Sequence, residues 1–131
     1  FTPTTANDSI TTIDMSADGN WMIYGDYSGN LVLLANKGGL PVLWKQMPVP
    51  SGGGSHCVRM TPDGRAFAAG GSQGNFYLYD VATFISTGQP AISYQIPNTS
   101  SVYGVAIADD ASAVVGISNQ NTTSGLVSYV T

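Results

Sequence analysis

Short apolar runs recur along the chain, each closed by a cluster of Gly, Asn, Asp or Pro, and this punctuation predicts a succession of short strands. The first four lie at residues 10–16 (ITTIDMS), 21–26 (WMIYGD), 31–35 (LVLLA) and 40–47 (LPVLWKQM). Between them stand Ala17-Asp18-Gly19-Asn20, Tyr27-Ser28-Gly29-Asn30 and a loop at 36–39. The same plan returns at 55–61 (SHCVRMT), 66–71 (AFAAGG), 76–85 (FYLYDVATFI) and 91–96 (AISYQI), and again at 102–108 (VYGVAIA), 113–118 (AVVGIS) and 126–131 (LVSYVT). Loops are expected at 86–90 and 119–125.

The correspondence runs residue by residue: Met15 with Met60, Asp18-Gly19 with Asp63-Gly64, Gly25 with Gly70, and Gly29-Asn30 with Gly74-Asn75. Asp18 and Asp63 are 45 residues apart, and Asp63 and Asp110 are 47 apart. Asp-Gly between strands predicts a tight hairpin with positive φ at both central residues. The third unit has Asp110-Ala111 there, so a different or looser turn is expected. Gly25 and Gly70, inside otherwise apolar strands, predict close approach of a neighbouring backbone. The nearly continuous apolar second strands (WMIY, AFAA, AVVG) predict burial on both faces, as between stacked sheets.

A four-stranded repeat of this length matches a β-propeller blade. The predicted fold is therefore all-β, with about three four-stranded antiparallel blades, the last incomplete, forming part of a larger propeller. Residues 1–9 read as the tail of a preceding fourth strand and linker, 10–50 as the first blade, 55–97 as the second, and 101–131 as a third lacking its fourth strand. Three blades leave apolar sheet faces uncovered, so further blades of the same chain, or further copies of it, are the expected partners.

The units from Met15 to Leu34 and from Met60 to Asp80 resemble blades of the WD-repeat-like propeller superfamily, in its prokaryotic cell-surface and quinoprotein-like flavour. Pro41-Val42-Leu43-Trp44-Lys45 is similar to the fourth strand of those proteins. The Gly-His and Trp-Asp signatures of eukaryotic WD repeats are missing; only Tyr79-Asp80 approaches the second, and His56 has no preceding Gly. The resemblance implies a rigid platform for protein or ligand contacts.

Composition narrows the functional classes. Only 9% of residues are charged against 43% hydrophobic, which disfavours a disordered chain. The acidic residues are all Asp, a turn former, which argues against helices. Four basic residues and a net charge of -4 offer no cluster for phosphates, so no nucleic-acid partner is expected. No apolar run approaches the about 20 residues of a membrane helix, so no membrane insertion is expected.

Candidate chemistry is sparse. Cys57 is the sole cysteine and His56 the sole histidine, and adjacent strand residues point to opposite faces, so they form no nucleophile pair. Asp18, Asp63 and Asp110 read as turn residues. Asp109 and Asp110 with the 119–123 loop are the one place where oxygen ligands for calcium could meet. No catalytic, metal or cofactor residue is assigned. Trp21, Tyr24, Trp44, Tyr77, Tyr79, Tyr94, Tyr103 and Tyr129 read as packing, and Tyr27 as an exposed aromatic suited to a sugar. Tyr27, Asn119 and Asn121 are the candidate binding-loop residues, with the loops at 36–39, 86–90 and 119–125.

Three glycosylation sequons begin at Asn7, Asn98 and Asn121, all in predicted loops. Together with the lone cysteine and few lysines they point to an extracellular or cell-surface glycoprotein. The function expected is a non-enzymatic interaction or structural scaffold with a protein or glycan partner. The alternatives are a propeller enzyme or cofactor binder whose active site lies mostly in absent blades, and a surface filament completed by strand exchange.

Overall fold

The computed structural model describes residues 9–50, 53–97, 101–121 and 124–130, with backbone alone at 41, 56, 119–121 and 124–130. The chain is mostly β. Strands β1 (Ile10–Met15), β2 (Trp21–Asp26), β3 (Asn30–Lys37) and β4 (Leu40–Pro48) form one antiparallel sheet. Strands β5 (Ser55–Met60), β6 (Ala66–Gly71), β7 (Asn75–Asp80) and β8 (Ile92–Gln95) form a second, and β9 (Val102–Ile107), β10 (Val114–Asn121) and β11 (Ser124–Val130) a third. Within each sheet, neighbours in sequence are neighbours in space.

The three sheets share one pairing frame. Met15 faces Met22, Met60 faces Phe67 and Ile107 faces Val114. The register then slips at one matching point in each first strand, so that Thr11, His56 and Tyr103 are each the extra residue of a bulge.

The first hairpins also coincide. Ser16 O accepts from Gly19 N, Thr61 O from Gly64 N and Ala108 O from Ala111 N, at 2.9, 2.9 and 2.8 Å. Only the third turn residue is left-handed, at φ 70° for Gly19, 71° for Gly64 and 60° for Ala111. Positive φ at Asp18 and Asp63, which a two-residue hairpin would need, is therefore not adopted. The Asp110-Ala111 turn keeps the same form as the others at the expense of a left-handed alanine. Ala111→Gly should stabilise the protein by about 0.5–1 kcal/mol, because glycine adopts this conformation without the Cβ clash. A chemical denaturation midpoint that rises at unchanged slope would show it.

Cross-strand partners share a face, so each sheet has two. Ile23, Leu31 and Leu33 on the back of the first sheet pack on Val58, Met60, Phe67, Ala69, Tyr77 and Tyr79 on the front of the second. The back of the second, with Cys57, Ala68, Phe76 and Leu78, packs in turn on Val102, Val105 and Val114 of the third. This is the sheet-on-sheet burial that the apolar second strands foretold for β2 and β6, whereas on β10 Val115 is half-buried and Ile117 is exposed. Gly25 and Gly70 sit in these interfaces. A Cβ on Gly25 would lie 2.7 Å from the Ser55 Cβ, and one on Gly70 2.7 Å from a Val102 methyl. The close approach is to side chains of the next sheet's first strand, where a backbone had been expected.

The expected strand at 76–85 ends at Asp80, and helix α1 (Val81–Thr87) follows. The Asp80 carboxylate caps it by accepting from Thr83 N at 2.8 Å, and Gly88 closes it at φ 74°. The composition argument against helices thus fails at this one place. Val81 and Phe84 are buried between the first two sheets, with Ile85 and Met47 beside them. First strands of neighbouring sheets are close enough for direct hydrogen bonds, whereas α1 stands between the sheets toward β4. Phe84 meets Phe67 and Tyr79 edge-on, with centroids 5.2 and 5.4 Å away. The Tyr79 hydroxyl is buried there with no hydrogen-bond partner among the described residues, and burial raises its pKa.

Candidate functional site

Two cavities open beside the first-hairpin turn of the second sheet. One, of about 300 Å³, lies between the second and third sheets and is lined by Thr61, Asp63, Arg65, Asp80, Asp109 and Asp110. A neighbouring one of the same volume lies beside α1, lined by Trp21, Arg65, Val81, Ala82 and Ile85 among others. The carboxylates of the first cavity come from two turns, at Asp63 and at Asp109-Asp110, and from Asp80 at the junction of β7 and α1.

The carboxylates of Asp18, Asp63 and Asp110 are already engaged. Asp18 accepts from Ser16 Oγ at 2.7 Å and from Asn20 N at 2.9 Å. Asp63 accepts from Arg65 N at 3.0 Å and Thr61 Oγ1 at 2.8 Å, and Asp110 from Ser112 N at 2.9 Å. Arg65 approaches Asp63 at 3.8 Å, an exposed pair worth little in water. These donors, chiefly Ser16, the Arg65 amide and the Ser112 hydroxyl, hold all three carboxyls below their ordinary value of 3.8. A lowered folded pKa makes a contribution to stability that is in place above the unfolded value and is lost as pH falls through the folded one. Thermal melting should therefore be flat from neutral pH to about 5 and fall below pH 4, with Asp18→Asn, Asp63→Asn and Asp110→Asn together flattening the acid limb.

The calcium arrangement considered for Asp109, Asp110 and residues 119–123 is not met at 119–121, and residues 122 and 123 lie outside the described residues. Asp109 and Asp110 precede β10, whereas Asn119 and Asn121 lie at its far end, paired with Gly125 and Ser124 of β11. Among the described residues no group of three or more Asp, Glu, His or Cys is placed to hold a metal ion. The expected loops shrink likewise. Residues 36–39 reduce to the turn Gly38-Gly39, since Asn36 and Lys37 belong to β3. Ser86 and Thr87 belong to α1, and 119–121 to β10.

Tyr27 is 71% exposed in the β2–β3 turn, as a binding aromatic should be. Of the sequons, Asn7 and Asn98 lie outside the described residues, and Asn121 ends β10. Tyr24, Tyr77 and Tyr79 are core residues. Trp44, read as packing, is 45% exposed, edge-on to Trp21 at 5.9 Å and capped by Lys37 Nζ at 4.8 Å. The register slip on β4 between Leu43 and Lys45 places Trp44 there, a detail of pairing that alternation alone does not reveal.

Cys57 is buried between the second and third sheets, its Sγ 3.5 Å from Val102 O. Burial raises the thiol from 9.0 to about 11. Alkylation of the folded protein at pH 8 should be at least about 100-fold slower than in denaturant, the factor that two pKa units impose on the thiolate. Comparable rates would mean that this interface is open.

The most closely built polar cluster joins the sheets themselves. Thr12 Oγ1 accepts from Val58 N at 3.0 Å, and Asp14 Oδ2 accepts from Met60 N at 2.8 Å. The other Asp14 oxygen takes its neighbour's amide, Met15 N, at 2.8 Å. Thr11 Oγ1 donates to Ser55 O, and Ala17 N donates to Pro62 O at 2.8 Å. Side chains of β1 thus satisfy the free edge of β5, a task no reading of local sequence assigned them.

The fold and this seam define a class: an all-β protein of antiparallel meanders stacked front to back. Compared with known proteins, the chain matches no family model and no curated protein. Among the described residues no helix is long and apolar enough to cross a membrane.

Proposed function

We propose that the chain is a β-propeller segment of the WD-repeat-like kind, serving as a non-enzymatic scaffold in an extracellular or cell-surface protein. The observation that supports it best is the stacking of sheets with one pairing frame, closest at their first strands, with α1 standing between the first two sheets toward β4. That is how blades are set around an axis. The rigid sheets would present their turns, with Tyr27 on one rim and the acidic cavity on the other, to a protein or glycan partner. The surface location rests on the sequons at Asn7, Asn98 and Asn121 and the low lysine content.

Labelling of intact source cells with a membrane-impermeant amine reagent, followed by intact-mass measurement, tests this reading. Modification at Lys37 together with hexosamine mass on the chain is expected. An unlabelled chain of unmodified mass, released only on lysis, would overturn it.

A further inference from the structure

We propose that the cavity beside α1, between the first two sheets, binds one uncharged sugar ring. This rests on the scaffold reading above, whose partner is a protein or a glycan, and adds the site and the size of what it takes.

The apolar lining of the cavity is Trp21, at the start of β2, with Val81, Ala82 and Ile85 of α1. Its polar lining is Asp63, Arg65 and Asp80. A volume of about 300 Å³ stands at the lower end for small-molecule sites, and an apolar lining with a few polar groups is their usual make-up. Such a space suits a single six-membered ring.

The lining is held in place by the backbone. Ala17 N donates to Pro62 O and Val81 N to Arg65 O, each at 2.8 Å, so the first hairpin of the first sheet and the start of α1 are both tied to the turn at Asp63. Trp21 N donates to Ser16 Oγ at 3.0 Å, and Trp44 meets the Trp21 ring edge-on with centroids 5.9 Å apart. The indole rests against Gly64, where a Cβ would lie 2.9 Å from Trp21 Cδ1. Ala66 holds the matching position in the second unit, and the cavity between the second and third sheets has no aromatic lining.

The hydrogen-bonding capacity left over is of both kinds. Asp63 Oδ1 accepts from Thr61 Oγ1 and Arg65 N, and Asp80 Oδ1 accepts from Thr83 N, whereas Oδ2 of each is engaged in no hydrogen bond among the described residues. The Arg65 guanidinium is largely exposed, and Asp63 Oδ2, at 3.8 Å, stands beyond hydrogen-bond reach of its Nε. Carboxylates accept from hydroxyls and a guanidinium donates to them, so a ring carrying adjacent hydroxyls, each a donor and an acceptor, satisfies both. The C–H groups of the same ring suit an indole, whose face is the negative side of its quadrupole. Two carboxylates beside one guanidinium leave a net negative charge that disfavours an anion, while the guanidinium disfavours a cation.

The chain has two tryptophans, so an isotope-labelled sample gives two indole N–H signals, which Trp44→Phe assigns. The methyl glycosides of glucose, galactose and mannose, and N-acetylglucosamine, are each titrated to about 50 mM. At least one should move the Trp21 signal saturably, with a dissociation constant in the millimolar range that about a dozen heavy atoms reach at ordinary efficiency, and should move Trp44 less. Ala82→Phe, at an exposed helix position in the lining, should abolish the shift with an unchanged circular dichroism spectrum. Arg65→Gln should weaken binding about tenfold, and carries the test if Ala82→Phe misfolds. No saturable shift at Trp21 with any of the four sugars would overturn the proposal, as would a larger shift at Trp44 or binding that a folded Ala82→Phe leaves intact. Inorganic phosphate and leucine are the charged probes; saturation by either and by no sugar would mean a charged ligand and overturn it too. Failure in a chain that is nevertheless glycosylated and labelled on intact cells would end this inference and leave the scaffold reading standing.

Discussion

Replacing Phe84 by Ala should destabilise the protein by about 3–5 kcal/mol, a large share of the 5–15 kcal/mol typical of a domain. Phe84 has no exposed surface and fills the gap between the first and second sheets with Val81. Its loss removes the edge contacts to Phe67 and Tyr79 and leaves a cavity that two hydrogen-bonded sheets are too stiff to close. Exposed Thr83 on the same helix serves as control for helix propensity; Thr83→Ala should change stability by less than about 0.5 kcal/mol. Urea denaturation of both variants checks this. A Phe84→Ala cost under about 1 kcal/mol would mean that α1 is dispensable to the stack.

Gly70→Val should cost about 3 kcal/mol or more, an overpacking penalty at the upper end for buried sites. Even the first added carbon would lie 2.7 Å from Val102 Cγ1 and 2.5 Å from Cys57 Sγ. The strand can yield only by pushing the third sheet off the second. Val102→Ala in the same chain should recover part of the loss, since it removes the atoms struck, and the coupling between the two substitutions should exceed about 0.5 kcal/mol. Strict additivity in denaturation would show that the two residues are not in contact.

Most strands were legible in the sequence because their apolar runs end in residues with a definite turn chemistry. Asp18-Gly19 and Asp63-Gly64 mark the first hairpins, and Gly29 and Gly74 the second. Helix α1 was missed because FYLYDVATFI reads without a break as one apolar run. Its signals were nonetheless present: Asp80 three residues before an amide it could cap, and Gly88 after the last helical residue. The loop expected at 119–125 was drawn from polar composition, yet the backbone of a polar residue such as Asn119 pairs across strands, here with Gly125, as an apolar residue's would.

The seam between sheets was beyond any local signal. Asp14 looks like a strand carboxylate until Met60 is brought to it from 46 positions away. The bulges at Thr11, His56 and Tyr103 are likewise properties of a pair of strands, invisible in either one. As to the candidate site, the exposure of Tyr27 was legible from its turn, whereas the cavity shared by Asp63, Asp80, Asp109 and Asp110 exists only because two turns and the β7–α1 junction converge.

The front-to-back stacking of sheets is tested most directly by amide hydrogen exchange at Val58 and Met60. Both amides point off the free edge of β5, and in the stack they are bonded to Thr12 Oγ1 and Asp14 Oδ2. Both should be protected in the native chain, and Asp14→Ala should release Met60 selectively while the amides that bond β5 to β6 stay protected. Exchange of Val58 and Met60 at the rate of an open strand edge in the unsubstituted protein would contradict the account.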